Sequence, residues 1–109
     1  MKTLGELLSE RDARISFLND EARKCARVLR EDPAVRDVLI FGSLAKGMGN
    51  VDSDIDLAVV VSGSKENRMK MTASFTKKLG EICSAPIDVL VLWSDELEES
   101  AIAREGMRI

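Results

Sequence analysis

The sequence predicts a single small domain of the α/β (α+β) class, with a mixed β-sheet flanked by helices. Three short apolar runs at 36–41, 54–61 and 87–93 are typical of buried strands. Segments with the three- and four-residue apolar spacing of amphipathic helices precede, separate and follow these runs. With 109 residues, 45% of them hydrophobic and 32% charged, the chain has the size and composition of one globular domain, spanning 1–109.

An N-terminal helical segment is predicted over residues 1–32. Within it, 12–30 has apolar residues on one helix face, and Pro33 ends the helix because the residue before a proline disfavours helical geometry. The apolar positions of this face are Ile15, Leu18, Ala22, Cys25 and Leu29. Residues 1–10, which include Leu4 and its neighbouring leucines, are predicted to form a separate short helix.

The order of the remaining elements predicts how the strands are arranged. A short loop or helical turn with three glycines follows the first strand, and a helix over 65–83 joins the second strand to the third. A strand–helix–strand connection favours parallel pairing if the two strands are neighbours. A last helix is expected to begin at Ser94 or Asp95 and to run to about Arg104.

Composition excludes several classes of function. The net charge is −3 with no polybasic block, so we expect no direct nucleic-acid binding, and no apolar run is long enough to span a membrane. The absence of histidine excludes histidine triads and histidine-ligated zinc. Cys25 and Cys83 belong to no close cysteine pair, which favours free thiols and a cytoplasmic location.

Three aspartates lie where apolar strands begin. Asp54 and Asp56 open the second strand and, because side chains alternate along a strand, they share a face about 7 Å apart. Asp88 lies one residue into the third strand and joins them if the two strands are neighbours. Ionised carboxylates in an apolar setting are costly unless they are paired, bind a metal or have a raised pKa, and divalent cations relieve the repulsion within a cluster. Their oxygen atoms suit magnesium, or alternatively manganese.

A Gly-Ser turn closes the first strand. Gly42 has no Cβ, so its backbone can approach a ligand closely, and Ser43 adds a hydroxyl where a helical turn begins. Backbone N–H groups at a helix start attract phosphate. A phosphate site beside a carboxylate metal site is what a nucleoside triphosphate with magnesium requires.

The spacing of these motifs resembles the minimal nucleotidyltransferases of the DNA polymerase β superfamily. Gly42-Ser43 in "GSLAKG" is followed after ten residues by Asp54-Ile55-Asp56 in "SDIDLAVV", and "PIDVLVL" places a third aspartate on a later strand. The resemblance covers a core motif over 35–93. It implies that Asp54, Asp56 and Asp88 are the metal-binding and catalytic residues, with Asp88 as a candidate base toward the acceptor hydroxyl.

The resemblance also implies a nucleotide site. Gly42 and Ser43 would hold the β- and γ-phosphates of ATP. Lys46 is a further candidate contact to phosphate or to a partner, although a solvated loop lysine is an equally good interpretation.

We expect no acceptor-binding domain within these 109 residues, and in this the chain resembles the MntA-like antitoxin half of a HEPN/MNT toxin–antitoxin module. That resemblance implies transfer of AMP from Mg-ATP to a tyrosine of a helical HEPN toxin. Two alternatives remain: a catalytically silent antitoxin that acts by binding, and a small-molecule nucleotidyltransferase that works as a homodimer. The assembly is expected to be either a homo-oligomer or a hetero-oligomer.

Overall fold

The chain begins with one long helix, α1 (Leu4–Leu29). The computed structural model describes residues 1–46, 54–63, 65 and 67–109. Thr3 caps the helix, because its Oγ1 accepts a hydrogen bond from the Glu6 backbone N–H (3.1 Å) and the Glu6 side chain accepts one from the Thr3 N–H (3.4 Å). The predicted separation between 1–10 and 12–30 is therefore wrong. No glycine or proline interrupts the chain there, so the helix runs through it.

Up to the third strand, the remaining elements follow the predicted order with adjusted ends. They are β1 (Val35–Phe41), α2 (Gly42–Ala45), β2 (Ile55–Val61), α3 (Arg68–Gly80), β3 (Ile87–Trp93), α4 (Ser94–Glu99), α5 (Ile102–Glu105) and β4 (Met107–Arg108). The helix predicted over 65–83 is shorter because it starts after Asn67, whose φ of 64° is left-handed. Gly47 and Gly49 lie outside the described residues.

The four strands form one mixed sheet in the order β3-β2-β1-β4. β1 pairs antiparallel with β2, and β2 pairs parallel with β3, which confirms the predicted parallel neighbours. α3 connects these two parallel strands. The predicted fold class, a small α+β domain with a mixed sheet flanked by helices, is confirmed.

The C-terminal end differs from the prediction. The expected last helix is two short helices, because Ser100 leaves helical geometry with ψ 156°. The strand β4 was not predicted. It pairs antiparallel with β1, and Arg108 Nε donates to Asp37 Oδ2 at 2.6 Å, which fixes the chain end to the sheet.

Apolar side chains fill both sides of the sheet. One side packs against α1 and α3, where Leu18, Leu29 and Leu79 meet Leu57 and Val59. The other side is covered by α4 and α5 through a smaller cluster of Leu39, Ala58, Val60, Leu92 and Leu97. No helix in the described part of the chain is long and apolar enough to cross a membrane.

Candidate active site

Three strand ends meet at one end of the sheet and bring the predicted site residues together. Because β1 runs antiparallel to β2, its last residue, Phe41, lies opposite Asp56 near the start of β2. Because β3 runs parallel to β2, Asp88 near its start lies opposite Asp56 on the other side. Phe41, Asp56 and Asp88 thus form a row across three strands, with Asp56 in the middle. Neighbouring strands are about 4.8 Å apart.

The three predicted carboxylates differ in their surroundings. Asp54 lies just before β2 and is exposed, Asp56 is half-buried inside the strand, and Asp88 is exposed on β3. In the described ranges, no salt bridge involves any of the three. The site therefore holds clustered negative charge without a neutralising side chain among the described residues.

The surroundings of Asp56 disfavour its ionised form. Burial raises the pKa of its carboxyl above the ordinary value, and the negative charges of Asp88 and Asp54 raise that pKa further. The neighbours Ile55 and Leu57 are fully buried, so the backbone around Asp56 is fixed by the core. A rigid strand therefore holds an ionisable group where its ionised form is disfavoured, which is typical of functional sites.

Gly42 follows β1 and touches Asp56. Its φ is +73°, a conformation that side chains other than glycine rarely adopt. A Cβ built at this position would lie 2.5 Å from Asp56 Oδ2. The glycine therefore lets the turn at the end of β1 lie directly against the central carboxylate.

The other two predicted nucleotide contacts lie on the helical turn α2. Ser43 is exposed in its first turn, and no side chain caps the start of this turn within the described residues. Lys46 ends the turn, and its Nζ lies 3.5 Å from Glu105 Oε2, with both side chains exposed. Sequence reasoning missed Glu105, because a contact between residues 46 and 105 leaves no local pattern.

The carboxylates of Asp54, Asp56 and Asp88 are chemically suited to a divalent cation, but their side chains do not form a complete metal site. Among the described residues, no group of three or more His, Cys, Asp or Glu side chains is arranged to hold a metal ion. Burial and the charges of Asp88 and Asp54 raise the pKa of Asp56, and a cation held by Asp56 and Asp88 would offset the part that comes from repulsion. The carboxylate oxygens are the ligands that hard cations such as Mg2+ prefer.

We predict that Asp56→Asn does not lower the melting temperature of the metal-free protein at pH 7. Because the folded-state pKa of Asp56 is raised, its ionised form costs folding free energy above that pKa, and the cost vanishes as the pH falls below the unfolded-state value. We expect a gain of up to a few degrees at pH 7 that disappears toward acidic pH, measured by thermal unfolding in chelator. Asp20→Asn, an exposed carboxylate on α1, is the control. A clear drop at pH 7 for Asp56→Asn alone would show that this carboxylate has a stabilising partner.

The chain is similar in fold to several solved structures. A candidate nucleotidyltransferase from Sulfolobus solfataricus has a TM-score of 0.63 and 20% identity, over 99% of this chain and 89% of that one. A toxin–antitoxin MntA-HepT structure has a TM-score of 0.54 and 18% identity, over 83% and 69% of the two chains. An E. coli MS115-1 CdnC:HORMA-deltaN complex has a TM-score of 0.59 and 16% identity, over 83% and 40%.

These likenesses, all at low identity, concern the fold. Comparison with curated protein sequences gives no match. The family model described as "Polymerase beta, Nucleotidyltransferase" matches residues 23–109, which include the whole sheet and all three aspartates. Members of this family generally use divalent metal ions. The chain therefore belongs to the polymerase beta nucleotidyltransferase family.

Proposed function

We propose that this protein transfers AMP from Mg-ATP to a hydroxyl group, with a tyrosine of a HEPN-type toxin as the acceptor. The observation that carries the proposal is the row in which Asp56 lies opposite Asp88 while Gly42 lies against Asp56. The two carboxylates can hold a metal ion, and the turn at Gly42 lies beside them. A metal-bound triphosphate needs both features.

Each residue of the row has a role in this proposal. Asp56 and Asp88 would hold Mg2+ together with Asp54. The metal would offset phosphate charge as the acceptor oxygen bonds to the α-phosphorus and pyrophosphate leaves. Gly42 leaves room for the phosphates because a side chain there would fill the space in front of Asp56. Ser43 is exposed beside it and would donate its hydroxyl to the β- or γ-phosphate.

Lys46 would contact a phosphate, and Asp88 would accept the proton of the acceptor hydroxyl. Lys46 lies one helical turn from Gly42 and is held by an exposed ion pair with Glu105, which is weak and easily exchanged for a phosphate contact. Asp88 is exposed on the outer strand of the described sheet, so an acceptor hydroxyl can reach it and transfer its proton to the carboxylate.

An acceptor on a separate protein is supported by the openness of the site. Asp54 and Asp88 are exposed, and α4 and α5 cover the same side of the sheet only over the adjoining cluster of Leu39, Ala58, Val60, Leu92 and Leu97. A partner can therefore reach the reacting groups, position the acceptor and exclude water. Similar folds occur in MntA-HepT toxin–antitoxin structures, which makes a toxin our proposed acceptor. With ATP as the donor and free thiols at Cys25 and Cys83, we propose a cytoplasmic location.

We predict that ATP binding depends on magnesium. Without the metal, the phosphates would meet the unpaired negative charge around Asp56, so titration calorimetry in chelator should show affinity weakened roughly tenfold or more. Asp88→Asn should weaken Mg-ATP binding, and Asp20→Asn should leave it unchanged. Equal affinity with and without magnesium would contradict the metal role of these carboxylates.

We predict that the protein adds AMP to a tyrosine of the toxin encoded beside it. After incubation with ATP and magnesium, mass spectrometry of that toxin should find one or more AMP units, absent with Asp56→Asn and retained with Asp20→Asn. Toxin neutralised equally well by Asp56→Asn, with no mass change, would instead support a silent antitoxin that acts by binding. AMP found only on a small hydroxyl compound would support a small-molecule enzyme.

A further inference from the structure

Two cysteines that the proposed transfer reaction does not use lie where α1 meets the connection between α3 and β3. Cys25 is on α1 and is fully buried, and Cys83 is half-buried just beyond the end of α3. Both belong to the apolar core that these helices form with the sheet. Both thiols are free, so the contact between α1 and the connection contains two groups that can form a covalent bond.

Hydrogen bonds fix the backbone on both sides of Cys83. Its own N–H donates to Leu79 O at 2.8 Å. The next N–H, that of Ser84, donates to Glu21 Oε1 at 2.9 Å. Glu21 is buried and lies one helical turn before Cys25, on the same face of α1. The connection is therefore held against α1 at the level of Cys25.

The two thiols contact each other there. Burial raises the pKa of Cys25 to about 12, and the neighbouring Cys83 thiol, within hydrogen-bonding reach, contributes to that rise. Lys24 lies beside the pair, and its ammonium group is held by Glu21 at 2.7 Å. Cys83 is the more accessible of the two thiols and is the one that a reagent in solution meets first.

We propose that Cys25 and Cys83 are a redox modification site, which forms an intramolecular disulfide when the protein meets a thiol oxidant of the small-disulfide class, such as oxidised glutathione. The Cys83 thiolate attacks one sulfur of the oxidant, which gives a mixed disulfide and releases one thiolate. Cys25 loses its proton, its sulfur attacks the Cys83 sulfur, and the second thiolate leaves. The two released thiolates take up the two protons, so one disulfide is reduced as another forms.

The bond would join α1 to the segment that leads into β3. Within this segment Pro86 O accepts a hydrogen bond from Ile55 N at 3.0 Å. The cross-link is therefore near the end of the sheet that holds Asp56, but on its opposite face, since Ile55 and Asp56 alternate along β2. It should stabilise the fold without using any group of the active site. The inference is thus independent of the proposed transferase activity.

Equilibration of the full chain with mixtures of reduced and oxidised glutathione tests the proposal. After acid quenching, mass spectrometry identifies the link between the peptides that contain Cys25 and Cys83. We expect the equilibrium constant for the internal disulfide to be about a hundredfold or more larger in buffer than in urea, because only the folded chain holds the thiols together. The disulfide should also raise the melting temperature by about 10 °C or more.

Two variants serve as controls. Cys83→Ser has a side chain of similar size at a half-buried position, so it should keep the fold by circular dichroism and show no oxidant-dependent change in melting temperature. Cys25→Ala should stop at a mixed disulfide between Cys83 and glutathione.

The same measurements can overturn the proposal. A folded wild-type chain that accumulates the mixed disulfide on Cys83 while Cys25 stays free would show that the two thiols cannot join. Equal equilibrium constants in buffer and in urea would show that the fold does not hold them together. A disulfide found only between two chains would contradict the proposal as well.

Discussion

Repulsion among carboxylates at one end of the sheet is the constraint on which the rest of the site depends. Asp56 is half-buried between fully buried neighbours, and Asp88 lies directly opposite it on the next strand. The described residues supply no salt bridge to either group, and the pKa of Asp56 is raised by burial and by its acidic neighbours. The fold keeps these two carboxylates close together despite their repulsion. A bound cation can relieve that repulsion and can in turn bind phosphate.

The sheet topology creates that arrangement. β2 and β3 are parallel, so both begin at the same end of the sheet, and β1 is antiparallel, so it ends there. The turn after β1 can therefore meet the first residues of the other two strands, and Gly42 lies against Asp56 for this reason. The apolar cores on both sides hold the strands in register, and a slip of one residue would turn Asp56 into the core.

Much of the site was predictable because its residues lie in local patterns. Gly42-Ser43 and Asp54-Ile55-Asp56 are short motifs, and Asp88 interrupts an obvious strand, so parallel pairing of two neighbouring strands was enough to bring Asp56 and Asp88 together. The continuity of α1 was missed because Arg11 and Asp12 interrupt the apolar spacing between Leu8 and Ile15. β4 and the Lys46–Glu105 ion pair have no local signal, since two strand residues and one long-range contact depend on tertiary structure.

The most direct test of this account is an NMR titration of the side-chain carboxyl of Asp56, followed with pH in the wild type and in Asp88→Asn, each with and without magnesium. The account predicts an apparent pKa above the ordinary aspartate value in the metal-free wild type, lowered by magnesium and lowered also by Asp88→Asn. An ordinary pKa that neither magnesium nor Asp88→Asn changes would contradict the claim that clustered, partly buried charge prepares this end of the sheet for a metal.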